Sequence, residues 1–355
     1  MTPLTDLWDL LISFENLWLA WRKARRGKAH TAAVAEFALN LEQNLLDLQR
    51  DLISQRYRPG TYRLFTIYER KPRQIAAAPM RDRVVHHALM NLIEPPLDKR
   101  FIYDSYACRA GKGTHRAVDR YQRWAQRYAY VLKLDIQQYF PSIDHLILQR
   151  LIRQRVMDHK VLTLIDWIID GSPEPLTPIT NLFPDDDLHT LMVRRRGIPI
   201  GNLTSQFFAN LLLDNFDHWI KESLRVKAYL RYVDDMVLLS DSKQQLADWR
   251  ECIRTELAAL RLRLHPNKAH ISPTRCGINL LGYHVTPYRR RLANHNGYAF
   301  RRRLRRFATL YQQGQIEWES IDASVQSWLG HARHADTLSL REAVLSNTVF
   351  VRGTC

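Results

Sequence analysis

An α+β fold is what this 355-residue sequence predicts, and three observations predict it. Apolar residues recur at helical spacing in the first and last parts of the chain. Short runs of aromatic and branched residues, bounded by turn formers, read as strands in between. The stretch Ala228-Tyr-Leu-Arg-Tyr-Val-Asp-Asp-Met-Val-Leu-Leu-Ser240 reads as strand, tight turn, strand, with Asp234 and Asp235 side by side at the tip. Two like charges at a hairpin tip repel each other. A pair of divalent cations explains their presence, and an ordinary acidic turn is the plain alternative.

In chain order, Leu7, Leu10, Leu11, Phe14, Leu17 and Trp18, then Phe37, Leu41, Leu45 and Leu48, predict helices over residues 1–56. Arg58-Pro59-Gly60 breaks the pattern. Residues 62–67 and 73–77 predict a strand pair, and 82–92 a helix that Pro95-Pro96 ends. Arg109-Ala-Gly-Lys-Gly-Thr-His115 predicts a basic glycine loop, followed by a helix over 116–127. Residues 128–134 predict a buried strand ending at Asp135, and Phe140-Pro-Ser-Ile-Asp144 leads into a helix to about 155. Prolines and Asp185-Asp186-Asp187 in 172–196 predict an exposed insertion. Residues 202–222 predict one long helix, 242–260 another, 278–285 a hairpin, and the chain from Arg301 onward mostly helices.

The chain is 46% hydrophobic, enough for a sizeable core. No run of about 18 apolar residues predicts a membrane span, and Met1-Thr-Pro-Leu-Thr-Asp lacks the features of a signal peptide. Cys108, Cys252, Cys276 and Cys355 have no metal-ligand spacing. They are expected to be reduced thiols in a cytoplasmic protein. No third ligand accompanies His331 and His334, or His86 and His87, so no zinc site is expected.

Net charge is +16, from 52 basic and 36 acidic residues. The excess is clustered at Arg22, Lys23, Arg25, Arg26 and Lys28, at Arg289–Arg290–Arg291, and at Arg301, Arg302, Arg303, Arg305 and Arg306. Tyr288, Tyr298, Phe300, Phe307 and Tyr311 are interleaved with the last two clusters. Basic residues among aromatics suit phosphate contact and base stacking, so the expected partner is nucleic acid. A membrane surface is the competing polyanion, but the basic stretches lack a sustained amphipathic face.

Phosphoryl transfer onto a 3′-hydroxyl uses two cations about 3.5–4 Å apart, and Mg²⁺ takes oxygen ligands while keeping waters. Asp135, at a strand end, and Asp234 and Asp235, at a hairpin tip, can converge at one end of a sheet. A lone strand-end Asp is otherwise a cap.

The order of segments from about residue 57 to 335 resembles the reverse transcriptases. The resemblance implies a right-hand polymerase with fingers, a ferredoxin-like palm and a helical thumb. Lys71-Pro-Arg73-Gln-Ile75 resembles the fingers strand that meets the nucleotide phosphates. Arg81-Asp-Arg-Val-Val-His-His-Ala-Leu89 and Asp104-Ser-Tyr-Ala-Cys-Arg-Ala-Gly-Lys-Gly-Thr-His115 resemble segments of group II intron and retron enzymes. Lys133-Leu-Asp135-Ile-Gln-Gln-Tyr-Phe140 resembles the first palm motif. It implies metal ligation by Asp135 and the Ile136 carbonyl, and a steric gate at Phe140 that selects deoxynucleotides. A core role is the alternative for Phe140. Gly197-Ile-Pro-Ile200-Gly201-Asn-Leu-Thr-Ser205-Gln206 resembles the second motif, with Ile200, Gly201 and Gln206 at the nucleotide site. Lys268 of Leu264-His-Pro-Asn-Lys268 resembles the lysine near the leaving pyrophosphate, or is one more surface lysine. Leu280-Leu-Gly-Tyr283 resembles the primer grip. The catalytic set implied is Asp135, Asp234, Asp235 and Lys268. The metals implied are two Mg²⁺, with Mn²⁺ as substitute, and the substrates are deoxynucleoside triphosphates.

Ile200 stands where most members have Gln, and Ser205-Gln206 where most have Ser-Pro. These departures, with Phe14-Glu-Asn-Leu17 and Ser327-Trp-Leu-Gly-His-Ala-Arg-His-Ala-Asp-Thr337, resemble the enzymes of diversity-generating retroelements. That resemblance implies error-prone copying at template adenines, a cognate RNA template, a cDNA product and a small basic helical-bundle accessory protein in an oligomeric assembly. Ile lacks the donor and acceptor of Gln, which removes one constraint on the nucleotide; drift at a packing position is the alternative. The 172–196 insertion also resembles a lineage adapted to phage defence, in which cDNA is made from a noncoding RNA. A silent RNA-binding scaffold is the alternative of another class, and retention of the carboxylates, Lys71, Arg73 and Lys268 argues against it. The expected layout is an N-terminal helical extension over 1–56, fingers over 57–127, palm over 128–285 with the insertion, and a basic thumb over 286–355. The insertion and the basic N-terminus are the expected selectors of the RNA.

Overall fold

The structure, a computed structural model, describes residues 3–68, 72–175, 183 and 186–352. The chain begins with helices α1 (Trp8–Ile12), α2 (Phe14–Ala24), α3 (Ala32–Leu39) and α4 (Leu41–Ile53). Strands β1 (Arg63–Tyr68) and β2 (Pro72–Ala77) precede α5 (Met80–Asp98) and α6 (Thr114–Ala125). Next come β3 (Tyr130–Asp135), α7 (Tyr139–Ser142), α8 (His145–Arg153), α9 (His159–Asp170), α10 (Leu188–Val193), α11 (Leu203–Leu212) and α12 (Asp214–Glu222). Strands β4 (Tyr229–Tyr232) and β5 (Asp235–Ser240) flank the Asp-Asp turn and lead to α13 (Lys243–Ala259). Strands β6 (His270–Pro273), β7 (Ile278–Leu280), β8 (Tyr283–Val285) and β9 (Arg290–Leu292) precede α14 (Asn294–Gln312), α15 (Trp318–Ala332) and α16 (Leu338–Leu345).

The chain divides into two compact units. The first holds Met1–Arg109, Leu134–Met236 and Asp248–Ala269; the second holds Ala110–Lys133, Val237–Ala247 and His270–Cys355. The four-stranded sheet has the order β4-β5-β3-β6. Strand β6, which the sequence reading did not anticipate, runs antiparallel to β3 with Tyr130 opposite Pro273.

In the first unit, Leu17, Ala20, Trp21 and Ala24 give α2 a buried stripe, and Asn16 Nδ2 donates to Leu11 O and to Ala88 O in α5. Asp158 caps α9 through the Lys160 and Val161 amides, at 3.1 and 3.2 Å. Its second oxygen accepts from the Leu7 and Trp8 amides, each at 2.9 Å. One carboxylate therefore satisfies orphan amides of two helix starts. Strands β1 and β2 form an antiparallel hairpin, with Arg63 opposite Ala77 and Ile67 opposite Arg73.

Three expectations need correction. Helix α5 does not stop at Pro95-Pro96 but runs to Asp98. Ile93 and Leu97 are buried, and Arg109 holds the helix end by donating to Asp98 Oδ1 at 2.7 Å and to Asp98 O at 2.9 Å. Packing and capping offset the lost donors. Residues 202–222 form two helices that break at Leu213, which lets α12 turn Phe216, Asp217 and Ile220 inward. The described part of 172–196 is only partly exposed: Glu174, Asp187, His189, Val193 and Arg195 face solvent, but Phe183, Asp186 and Arg194 are anchored. The Asp186 side chain is fully buried and accepts from Arg261 Nη2 at 2.7 Å. Arg194 and Arg261 both pair with buried Asp144, and Arg194 lies over the Phe183 ring. Asp186 thus meets arginines inside the unit, while Asp187 caps the next helix through the Thr190 amide.

In the second unit, β7, β8 and β9 form an antiparallel sheet, with Ile278 opposite Val285 and Tyr283 opposite Leu292. Helices α14, α15 and α16 pack around Phe300, Leu304 and Val344, and Phe300 stacks on Trp328 at 4.4 Å between ring centroids. His115 stacks on His334 at 3.5 Å, and Tyr283 Oη donates to His331 O at 2.7 Å. Cys108, Cys252 and Cys276 are free and exposed. Among the described residues no helix is long and apolar enough to cross a membrane.

Asp158→Ala removes a cap shared by two segments. It is expected to cost about 2 kcal/mol of unfolding free energy, read from the urea midpoint. A loss below about 0.5 kcal/mol would show that the shared cap contributes little.

Candidate active site

Asp135, Asp234, Asp235 and Lys268 all belong to the first unit. Strand β3 delivers Asp135, whose backbone continues into an extended segment gripped on both sides. The Ile136 amide donates to Asp234 O at 3.3 Å, the His265 amide to Asp135 O at 2.7 Å, and the Gln137 amide to Arg263 O at 2.8 Å. This ladder holds the first motif beside the Asp-Asp turn. It also brings in residues 263–268, so that Lys268 Nζ reaches Asp135 Oδ2 at 2.7 Å. The Asp135 side chain is 13% exposed and that of Lys268 46%.

Burial, with the charges of Asp235 and Asp135 adding to it, pushes the Asp234 carboxyl up to about 6. The charges of Asp235 and Asp135 thus bear on Asp234, and a cation there would relieve that load. The donor set is made of hard oxygens, as Mg²⁺ prefers. Among the described residues no three carboxylate, imidazole or thiol groups form a ready-made metal cage. An open set still fits a cation that keeps waters and takes substrate oxygens. The fourth expected ligand, Ile136, is buried at the head of the same segment.

The turn itself is unusual. Val233 has φ of 57°, a left-handed conformation costly for a β-branched residue. Its carbonyl accepts from Arg231 Nη1 at 3.1 Å. Arg231 is fully buried and forks onto Asp217, with Nε at 2.9 Å from both carboxylate oxygens and Nη2 at 2.6 Å from Oδ2. Asn210 Oδ1 accepts from Nη1 at 3.0 Å, and Tyr229 Oη donates to Asp217 at 2.6 Å. The one signal of this network in the sequence is an arginine in the middle of an otherwise apolar strand.

Phe140 lies in α7, half-buried, with its ring edge-on to Tyr139. Its carbonyl accepts from the Ile198 amide at 3.1 Å, joining the first and second motifs. Ile200 O accepts from the Ala76 amide at 3.2 Å, joining the second motif to β2. Gly201 has φ of 112°, and a Cβ there would meet Ile75 Cγ2 at 3.0 Å. Glycine therefore allows both the turn and the close approach to β2. Arg73 is exposed on the β1–β2 hairpin. Lys71 lies outside the described residues.

Gly201 and Gln206 also line a cavity of about 550 Å³ with Lys23, Arg26, Lys28, Arg63 and Arg83. No acidic residue lines it. Burial and the Arg83 charge lower the Lys28 pKa, while burial, Lys23 and Lys28 hold His87 down at about 4. The cations repel one another, so the cavity favours an anion.

Residues 67–285 match the sequence family described as reverse transcriptase (RNA-dependent DNA polymerase). Protein YkfC of Escherichia coli (strain K12) is 25% identical over 284 residues, covering 69% of this chain and 71% of YkfC. Nuclear intron maturase 1, mitochondrial, of Arabidopsis thaliana is 29% identical over 86 residues, 24% of this chain and 12% of that protein. Among solved structures, apo telomerase from Candida tropicalis truncated from its C-terminal domain is similar at a TM-score of 0.46 and 12% identity, over 71% of this chain and 60% of that one.

Asp234 binds its proton more tightly folded than its ordinary value of 3.8 allows when unfolded. The folded state therefore holds more protons between about pH 4 and 6, and stability falls as pH rises through that window. Asp234→Asn is expected to raise stability at pH 7.5 in EDTA by about 1–3 kcal/mol, with the gain gone below about pH 4. Thermal unfolding across pH checks this; a gain independent of pH would contradict it.

Proposed function

This chain belongs to the reverse transcriptase family, and on that premise we propose that it copies a cognate RNA into cDNA by two-metal-ion nucleotidyl transfer at Asp135, Asp234 and Asp235. The observation that carries the reading is the placement of Asp135 beside the Asp234-Asp235 turn through the Ile136 amide and Asp234 O, with Asp135 paired to Lys268. When bound, Mg²⁺ held by Asp135, Asp234, Asp235 and the Ile136 carbonyl would supply the charge that lowers the primer hydroxyl pKa and stabilises the leaving pyrophosphate. Lys268 is engaged with Asp135 in this structure. Its ammonium is the group that would turn to the pyrophosphate, as proton donor or counter-charge. Arg73 and Lys71 bind the incoming triphosphate, and the Phe140 ring excludes a 2′-hydroxyl. Gly201 and Gln206 border the nascent pair. The cationic cavity beside them suits the phosphates of the nucleic acid strand.

Primer extension on an RNA template with Mg²⁺ tests this reading. Asp234→Asn is expected to lose at least about 10³-fold, the rate equivalent of several kcal/mol. A wild type that binds template but never extends would instead identify an RNA-binding scaffold.

The finer reading is error-prone copying at template adenines, as in diversity-generating retroelements, with a small basic accessory protein as partner. Ile200 and Ser205-Gln206 support it. Ile200 offers only its backbone carbonyl to β2, and no side-chain hydrogen bond restrains the nucleotide. Ile200→Gln is expected to lower misincorporation opposite adenine several-fold, measured by sequencing extension products. Unchanged errors at adenine would contradict it. Sequencing the cDNA that copurifies separates targeted mutagenesis from a defence role, since the latter yields an unmutated copy of a noncoding RNA.

A further inference from the structure

We propose that Arg231 and Asp217 are positioning residues for the catalytic carboxylates, acting through the backbone of Val233. The inference rests on the reading of Asp135, Asp234 and Asp235 as the metal-binding set. Both side chains are fully withdrawn from solvent, at 0% and 1% exposure. An ion pair so placed is a poor source of stability, because well-packed apolar residues often serve as well. The geometry gives it another task.

The guanidinium distributes its donors over several structural elements. Nε and Nη2 fork onto Asp217 of α12. Nη1 donates to Asn210 Oδ1 of α11 and to Val233 O. Asn210 Nδ2 in turn donates to Ala107 O at 2.9 Å. The Arg231 backbone is held as well: its amide donates to Asp104 O and its carbonyl accepts from the Tyr106 amide, each at 3.0 Å. A rigid fork, oriented by partners on three sides, therefore restrains the carbonyl of the residue immediately before Asp234. That residue is the β-branched one held at φ of 57°. Without the restraint the turn can relax toward extended backbone, and both following carboxylates move with it. Lysine cannot substitute, since its ammonium lacks the planar fork.

The experiment measures Mn²⁺ binding to the nucleic-acid-free protein by electron paramagnetic resonance, with hydrogen exchange at the 233–236 amides. Arg231→Lys keeps the buried charge pair. Arg231→Met/Asp217→Leu keeps the burial without any charge and serves where the lysine variant does not fold. Either folded variant is expected to bind Mn²⁺ about tenfold more weakly and to exchange faster at the turn. Adding Val233→Gly, which removes the strain, is expected to restore most of the affinity. Wild-type affinity in a folded variant, or a loss that Val233→Gly does not restore, overturns the proposal. Asp234→Asn in the same assay separates the two readings. If it binds Mn²⁺ as the wild type does, the metal-binding assignment fails. If it loses binding while Arg231→Lys does not, only the positioning role fails.

Discussion

A guanidinium buried against a single carboxylate is the constraint on which the centre of this molecule turns. Arg231 and Asp217 share a site that water does not reach, so every donor and acceptor there must be met by protein. Meeting them ties together β4, two consecutive helices, the 104–107 segment and the Asp-Asp turn. The break at Leu213 separates Asn210 of α11 from Asp217 of α12, and both meet the same guanidinium. The left-handed Val233, worth about 1–2 kcal/mol of strain, is tolerable because its neighbours leave it no alternative.

Charge is arranged in opposition within the first unit. The net charge is +16, yet the candidate catalytic centre is a knot of carboxylates in which burial, with the charges of Asp235 and Asp135 adding to it, lifts Asp234 to about 6. Lys268 tempers that knot, and the cationic cavity lined by Gly201 and Gln206 carries the opposite imbalance. Under the proposed function, cations would offset the charge at the carboxylates and phosphates the charge at the cavity. The arrangement suits the proposed enzyme, which must bring metal ions and a polyanion to one unit.

Much of this was legible in the residues. The turn Tyr232-Val-Asp-Asp and the strand ending at Asp135 are local patterns, and the structure brings them together by backbone hydrogen bonds at Ile136. The strand pair at 63–77 and the helices of the first 53 residues likewise follow from periodicity. What was not legible depended on distant partners. Pro95-Pro96 reads as a helix end, but burial of Leu97 and the grip of Arg109 keep the helix going. The acidic run before Leu188 reads as solvated, but Asp186 finds Arg261 some 75 positions away. Arg231 reads as an oddity in a strand until Asp217 is placed beside it. In each case a long-range charge or packing contact overrode a sound local rule.

As proposed, Asp135, Asp234 and Asp235 would form one cation site held in shape by the turn. The most direct measurement is a crystal structure of the protein with Mn²⁺ and a primer–template, using anomalous scattering at the manganese edge. The account predicts anomalous peaks within coordination distance of all three carboxylates, with Val233 still in its left-handed conformation and its carbonyl still on Arg231. Peaks elsewhere, or none at these carboxylates with nucleic acid bound, would contradict it.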